Sequence, residues 1–374
     1  MNQTRVQIPF ADLSRTHTVL KNQFLEITSK LIDSSSFILG QEVTEFEKNF
    51  ADFTGTRHSV GVGNGLDALK LSLKAVGVKR GDKVIVPAHT FTATWMAVAD
   101  LGAVPVACDV SPHTYNLNIQ SNTIKTVTGM QAIIPVHIYG LPCEMDEILN
   151  MADENSCFVI EDNAQAQGAI YKGKNAGSMG HVNATSFYPG KNLGALGDAG
   201  AITTNDDLIA LKLRSLRNYG SVKKYEHDEL GYNSRLDNLQ AAYLNIKLNY
   251  LKEWIAERNR IALRYKNNLS GLTHLQFQHT PENCLHTYHL LTVLSDRRND
   301  LQKHLSNQGI QTIIHYPTPP HLQQAFQELG YRKGDFPIAE QIAEQTLSLP
   351  LFIGITNSEV DDVCEAIIDF FAKG

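Results

Sequence analysis

Near its midpoint the chain reads Ser186-Phe-Tyr-Pro-Gly-Lys191-Asn-Leu-Gly-Ala-Leu-Gly-Asp-Ala-Gly200. A lysine here leaves a strand-like stretch and enters a turn rich in glycine. Although most loop lysines are solvated, an amine held near a carbonyl group as the free base is a nucleophile that can bind a carbonyl cofactor covalently. The small residues and the flanking serine would let the backbone approach a cofactor phosphate closely. The stretch therefore predicts that Lys191 is a site of covalent attachment.

An acidic residue ends another apolar run, Val159-Ile-Glu-Asp162-Asn-Ala-Gln165. Sheets of the α/β class bind their ligands beyond the carboxyl ends of the strands, which is where Asp162 would lie. A carboxylate there can keep a pyridinium nitrogen protonated, and the protonated ring is an electron sink for a carbanion. Capping of the following turn is the alternative role of Asp162.

Two further segments follow predicted strands. Gly61-Val-Gly63-Asn64-Gly65-Leu66-Asp67 predicts a strand that runs into a helix, whose free N–H groups and positive dipole end favour phosphate. A dinucleotide-binding fingerprint would require glycine at position 66, so Leu66 argues against a nicotinamide dehydrogenase. In Pro87-Ala-His89-Thr-Phe91 the aromatic ring of Phe91 can stack on a flat cofactor ring, or it can be an ordinary core residue.

The remaining pattern alternates short apolar runs with helical segments. Runs that are apolar on both faces are typical of a buried, mostly parallel sheet. Strands are predicted at residues 58–63, 83–87, 104–110, 131–136, 157–161, 184–188 and 200–204, with helices at 16–53, 66–76 and 236–269. A strand, a helix and a strand follow at 286–294, 296–306 and 311–315, and a helix at 360–371 closes the chain. The pattern predicts a large α/β domain at 1–250, with an N-terminal helical segment, and a smaller α/β domain at 251–374.

Composition excludes several classes of protein. A chain of 374 residues with 43% hydrophobic residues can bury a large core. A net charge of −6 does not favour binding to nucleic acid. We expect neither a secretory leader nor a membrane span. Five scattered cysteines without CxxC spacing indicate neither a disulfide framework nor a zinc site, and His315 with His321 indicates a rigid proline-rich loop rather than a metal site. We therefore expect a cytoplasmic protein.

These segments, in this order, resemble the DegT/DnrJ/EryC1/StrS family of sugar aminotransferases, and the resemblance runs essentially from end to end. The likeness is greatest to enzymes that aminate C3 of dTDP-3-keto-6-deoxyhexoses, judged from residues 61–69, from 186–200 and from Ile314-His-Tyr-Pro-Thr-Pro-Pro-His321. The resemblance implies the fold type I of pyridoxal-phosphate (PLP) transferases, as in aspartate aminotransferase, with a mostly parallel central sheet.

The resemblance also implies residue roles. Lys191 would bind the cofactor and act as the general base, and Asp162 would pair with the ring nitrogen. The other implied cofactor contacts are Gln165 and Phe91 at the ring and Gly65, Leu66, Ser186 and Asn233 at the phosphate. The implied sugar pocket contains Tyr188, His315 and Tyr316, although His315 can equally be a hydrogen-bonded loop histidine. Lys223 with Lys224 would meet the diphosphate, although a solvated pair is the simpler interpretation. Because Gly231-Tyr-Asn233-Ser-Arg235 resembles the segment that enters the neighbouring subunit, a homodimer with shared active sites is implied.

The implied activity is transfer of an amino group from L-glutamate to C3 of a dTDP-linked keto sugar of galacto or gluco configuration, with pyridoxamine phosphate (PMP) formed during turnover. A C4-aminotransferase is an alternative. A PMP-dependent sugar dehydratase is another, but dehydratases of this family resemble the chain with histidine in place of Lys191. A PLP-binding regulator would normally need an added DNA-binding region.

Overall fold

The computed structural model describes residues 7–121, 124, 126–223 and 225–372, and its largest element is a seven-stranded sheet. The strands are, in chain order, β1 (His58–Val62), β2 (Lys83–Pro87), β3 (Val104–Cys108), β4 (Met130–Ile133), β5 (Phe158–Asp162), β6 (Ile170–Tyr171), β7 (Lys174–Asn175), β8 (Val182–Ser186), β9 (Gly200–Thr204), β10 (Gln276–Phe277), β11 (Cys284–Leu285), β12 (Leu291–Leu294) and β13 (Thr346–Leu349). The order across the large sheet is β1-β9-β8-β5-β4-β2-β3.

Six strands of the large sheet run in one direction. The pairs β2/β3, β2/β4, β4/β5 and β5/β8 are parallel, whereas β9 is antiparallel to both of its neighbours, β8 and β1. Strand β1 therefore runs in the same direction as β8. The prediction of a mostly parallel central sheet is confirmed.

Helices cover both faces of this sheet. They are α1 (Ser14–Ser34), α2 (Gln41–Thr54), α3 (Gly65–Ala75), α4 (Ala93–Ala99), α5 (Met145–Glu154), α6 (Asp207–Leu216), α7 (Asn238–Leu248), α8 (Leu251–Asn268), α9 (Arg298–Asn307), α10 (Pro337–Gln345) and α11 (Asn357–Ala372). Within β2, Val84 and Val86 are buried in a cluster with residues of α3, α4 and α6, and Ile85 is buried in a cluster with residues of α5. Successive strand residues point to opposite faces, so both faces of β2 are buried, as its apolar run predicted.

A second, antiparallel sheet has the order β10-β12-β13. Its buried residues form a separate cluster with α8, α9 and α11. Ile8 belongs to the same cluster, because the backbone of Ile8 bonds to Gly309 and Gln311 at 3.0 and 2.9 Å. Strands β6, β7 and β11 form a third small sheet. None of the helices within the described residues combines the length and the apolar character needed to cross a membrane.

Four predicted elements differ from the structure, and one of them, the strand expected at 286–294, forms only at Leu291–Leu294. The single helix expected at 236–269 is two helices, α7 and α8, with a break at Asn249 and Tyr250. The helix expected at 16–53 is likewise divided, because residues 35–40 form a loop between α1 and α2 in which Ser35 and Leu39 have left-handed backbones. The strand expected at 311–315 is reduced to one bridge between Ile313 and Ser348, since Gln311 bonds instead to Ile8.

Candidate active site

One edge of the large sheet brings the four predicted segments together. Strands β1, β2, β5 and β8 run in the same direction, so their carboxyl ends lie at the same edge. The segments that begin at Gly63, Ala88, Asn163 and Phe187 follow these ends directly. Ligands of α/β sheets bind at this edge, and the predicted site residues on these segments converge there.

Asp162 is the last residue of β5, and it is 5% exposed. Its carboxylate accepts hydrogen bonds from the Thr94 hydroxyl at 2.9 Å and from the Ala164 N–H at 3.2 Å. Burial raises the pKa of Asp162, and the two hydrogen bonds and the charge of Lys191 oppose that rise. The bond from Ala164 is the turn-capping role that the sequence left open, and the second oxygen is engaged only by a hydroxyl. A cation beside this carboxylate would be strongly favoured.

Lys191 lies in a tight turn after β8. Its N–H donates to the Tyr188 carbonyl at 2.8 Å, and Gly194 lies so close to Pro189 that a β-carbon would be 2.3 Å from the Pro189 oxygen. Helix α7 holds the turn from outside, because Lys247 Nζ donates to the Gly194 carbonyl at 2.5 Å. Burial lowers the pKa of the Lys191 amine to about 8, although the Asp162 charge opposes this. At pH 7 roughly one tenth of the amine is therefore the free base, far more than for an ordinary lysine.

The start of α3 and the end of β8 form a cradle. Asn64 caps α3 by accepting the Asp67 N–H at 2.8 Å, which leaves the N–H groups of Gly65 and Leu66 at the helix start without an intrahelical acceptor. A β-carbon on Gly65 would be 2.6 Å from the Ser186 β-carbon, so only glycine lets the helix start approach Ser186 this closely. Two backbone donors and a hydroxyl thus lie together, a suitable arrangement for a phosphate.

Phe91 and Tyr316 form the wall of an open cavity of about 440 Å³, and their ring centroids are 5.4 Å apart. The ring of Phe91 is 52% exposed, which excludes the ordinary core role that the sequence left open. The cavity is also lined by Thr90, Thr92, Pro317 and Thr318. These side chains are uncharged, so the cavity suits an uncharged part of a ligand.

Gln165 and His315 lie beside this cavity. Gln165 accepts the Tyr139 N–H at 2.6 Å and donates to the Tyr316 hydroxyl at 3.0 Å. Nδ1 of His315 lies 2.8 Å from the Ser348 hydroxyl, and burial lowers the pKa of His315 to about 4. The imidazole of His315 is therefore neutral and is bonded to Ser348. Tyr188, three residues before Lys191, is exposed.

Asn233 and Lys223 do not lie with the other predicted residues. The side chain of Asn233 is exposed, while its neighbour Ser234 accepts the Gly63 N–H of the same chain at 3.1 Å. The segment 231–235 therefore runs beside the start of α3 in its own chain, and Asn233 is exposed. Lys223 is exposed and pairs with Glu226 at 2.5 Å, and Lys224 lies outside the described residues.

The sequence did not reveal three residues of this site. Thr94 bonds to Asp162, and Tyr139 and His89 form a buried pair with 2.6 Å between the Tyr139 hydroxyl and His89 Nε2. His89 lies in a segment that was recognised for Phe91, and Thr94 is the second residue of helix α4, which follows that segment. Nothing in the local pattern around Tyr139 signals a role.

Comparison with known proteins gives consistent matches over nearly the whole chain. The model of the DegT/DnrJ/EryC1/StrS aminotransferase family matches residues 19–368. The dTDP-3-amino-3,6-dideoxy-alpha-D-galactopyranose transaminase of Aneurinibacillus thermoaerophilus is 44% identical over 363 residues, which are 96% of this chain and 98% of that protein.

Two solved structures are similar over their length. The crystal structure of DesV from S. venezuelae, in complex with a ketimine intermediate, has a TM-score of 0.95 and 40% identity and covers 97% of this chain and 98% of that one. The structure of NtdA from Bacillus subtilis, with bound cofactor PMP, has a TM-score of 0.92 and 29% identity and covers 99% of this chain and 86% of that one.

Proposed function

Because the chain belongs to the DegT/DnrJ/EryC1/StrS aminotransferase family, we propose that it uses PLP to transfer an amino group from L-glutamate to C3 of a dTDP-linked 3-keto-6-deoxyhexose. The observation that carries the proposal is the buried pair of Lys191 and Asp162 at the carboxyl edge of the sheet. A relative that is 44% identical over nearly the whole chain bears the name of a dTDP-3-amino sugar transaminase, which supports C3 as the position of amination.

The described residues fit the cofactor. Asp162 offers a buried carboxylate with a raised pKa, which a protonated ring nitrogen would neutralise. Ser186 and the N–H groups of Gly65 and Leu66 offer donors to a phosphate, and glycine at position 65 lets them approach closely. Phe91 exposes a ring face at the same edge of the sheet. When bound, the cofactor supplies an aldehyde that attaches amines and a ring that accepts an electron pair.

Lys191 would do the proton transfers. Between turnovers its Nζ would hold the cofactor covalently, and after the amino donor displaces it the amine would take the proton from the donor's α-carbon. A pKa of about 8 suits both roles, because the amine is basic enough to accept a proton and is still partly unprotonated at neutral pH. Asp162 would keep the ring nitrogen protonated in both half-reactions. In the second half-reaction Lys191 would return a proton while the amino group is delivered to the sugar.

The substrate and the donor can be tested in one assay. Purified holoprotein is offered L-glutamate with either a 3-keto or a 4-keto dTDP-6-deoxyhexose, and the product is identified by NMR. We expect a 3-amino sugar and 2-oxoglutarate, and no product from a Lys191→Ala variant. An amine at C4, or a sugar that has lost water without gaining nitrogen, would overturn the proposal in favour of the C4-aminotransferase or the dehydratase.

The homodimer with shared active sites is part of the same proposal. Apolar side chains are exposed along α1 and in the loop before Asn233, including Val19, Ile32, Val222 and Leu230. An isologous contact through these surfaces would remove them from water and would bring each Asn233 to its partner. The free state of all five cysteines supports the cytoplasmic location.

A further inference from the structure

Tyr139 has a backbone conformation that a tyrosine rarely adopts. It lies in the short turn Ile138–Gly140 after β4, with φ 61° and ψ 2°. This left-handed region is unfavourable for a bulky side chain, and glycine or asparagine would relieve the strain. A strained residue persists where the surrounding contacts hold it in place, so the side chain of Tyr139 is the feature to explain.

The hydroxyl of Tyr139 joins two distant segments. It donates to the backbone carbonyl of His315, and His89 Nε2 lies 2.6 Å from it. Burial raises the pKa of Tyr139, so the hydroxyl keeps its proton, and burial lowers the pKa of His89 to about 3, so its ring is neutral. Because the single hydroxyl proton is used by the carbonyl, Nε2 of His89 must carry a hydrogen and donate it to Tyr139.

The backbone of Tyr139 makes a second connection to the same segment. Its N–H donates to Gln165 Oε1 at 2.6 Å, and Gln165 Nε2 donates to the Tyr316 hydroxyl at 3.0 Å. An N–H group can only donate, so this contact fixes which end of the Gln165 amide faces Tyr316. Tyr139 is thus connected to His315 directly and to Tyr316 through one side chain.

We propose that Tyr139 is a positioning residue that fixes the His315–Tyr316 segment against the loop of His89 and Phe91, and thereby sets the width and the sugar selectivity of the cavity between Phe91 and Tyr316. The inferred role of Tyr139 in sugar selectivity rests on the proposed function, whereas its role in holding the His315–Tyr316 segment in place does not. The bridge joins residues 89, 139 and 315, which belong to three separate parts of the chain.

Hydrogen exchange tests the fixing without any substrate. Tyr139→Phe removes the hydroxyl and keeps the ring, so the amides in the segment 313–318, other than the proline at 317, should exchange about ten-fold faster in the cofactor-free protein, as expected for the loss of a buried hydrogen bond with both partners left unpaired. The matched control is Tyr265→Phe, because the Tyr265 hydroxyl is also buried and donates to a carbonyl, that of Pro350, at 2.9 Å. The control should leave exchange at 313–318 unchanged. If the segment 313–318 exchanges at the same rate in Tyr139→Phe as in Tyr265→Phe, the proposal is wrong.

Steady-state kinetics test the selectivity. In the Tyr139→Phe holoprotein the KM for the keto sugar should rise about five- to ten-fold while kcat stays within about two-fold, and the preference for the better of the galacto and gluco substrates should fall. A general loss of stability would lower the active fraction and leave KM and the preference alone. If Tyr139→Phe shows faster exchange but an unchanged KM and an unchanged preference between the galacto and gluco substrates, the inferred role in sugar selectivity is wrong. A wild-type protein that aminates no keto sugar would instead refute the proposed function and leave the exchange result standing.

A second variant guards against poor folding of the first. His89→Leu removes the other bond of the same hydroxyl and leaves Tyr139 in place. It should raise exchange at 313–318 and KM in the same direction by a smaller factor, and an unchanged exchange rate and KM in a folded His89→Leu protein would count against the bridge.

Discussion

Replacing Asp162 by asparagine should affect the cofactor-free protein and the cofactor complex in opposite ways. The carboxylate is buried with a raised pKa, so its charge is disfavoured when no cation is near. Asparagine has the same shape, and its oxygen can accept the Ala164 N–H. Its amide can donate to the Thr94 hydroxyl, which can turn its own proton to the Thr90 hydroxyl 2.9 Å away. The cofactor-free variant should therefore be as stable as the wild type or more stable.

The cofactor complex should be weaker. The variant loses a charge-assisted hydrogen bond to the ring nitrogen, which contributes about 1.5–3 kcal/mol. At about 1.4 kcal/mol per factor of ten, the dissociation constant of PLP should rise about 10- to 150-fold. Turnover should fall further, because a ring nitrogen that is not kept protonated is a poorer electron sink.

Two measurements test these effects. Calorimetry gives the unfolding temperature of the cofactor-free proteins, and a visible-absorption titration gives the dissociation constant. Asp109→Asn is the control, since the Asp109 carboxylate accepts the N–H groups of Ile338 and Ala339 at the start of α10. It should lower the unfolding temperature and leave the PLP affinity unchanged. An Asp162→Asn protein that binds PLP as tightly as the wild type would refute the reasoning.

Three further predictions concern Lys191 and Asn233. Lys191→Ala should fold normally and lose at least the factor of about 10²–10⁴ that a general base contributes, and substantial residual transamination would refute the assignment. Folding lowers the pKa of Lys191 from 10.5 to about 8, so between these pH values the unfolded chain binds more protons than the folded one. As the pH rises from 8 to 10.5, the wild type should therefore gain up to roughly 3 kcal/mol of stability that Lys191→Met does not gain. Urea midpoints of the two cofactor-free proteins that change in parallel over this range would contradict this. Mixing Lys191→Ala subunits with Asn233→Asp subunits, whose added charge should repel the phosphate, should restore about half of the sites in mixed dimers if the sites are shared. No recovery in confirmed mixed dimers would mean that Asn233 serves its own chain.

The location of the site could be predicted because each signal follows a strand. Val62, Pro87, Asp162 and Ser186 end apolar runs that the sequence makes plain, and parallel strands bring such ends to one edge. The family resemblance implied that Gly65 and Ser186 both contact the phosphate, but residue types alone do not predict how closely the two approach. The division into domains at 1–250 and 251–374, and the roles given to the individual site residues, stay predictions.

The rest depends on contacts between distant parts of the chain. The bonds from Tyr139 to His89 and to His315 join residues that are 50 and 176 positions apart, and no local pattern encodes them. The break between α7 and α8 has no glycine or proline to signal it. Gln311 and Ile313 have strand-like neighbours, but their hydrogen bonds are divided between Ile8 and Ser348, so no continuous ladder forms.

The most direct test of the central claim is to find which lysine carries the cofactor. The holoprotein is reduced with borohydride and digested, and the peptides are identified by mass spectrometry. We predict loss of the visible absorption and a stable cofactor adduct on Lys191 alone. Lys247 is the informative rival, because burial also lowers the pKa of its amine to about 8, but that amine is already bonded to Gly194 and lies 2.9 Å from His17. An adduct on Lys247 or on any other lysine, or no adduct at all in a protein that transaminates, would contradict the account.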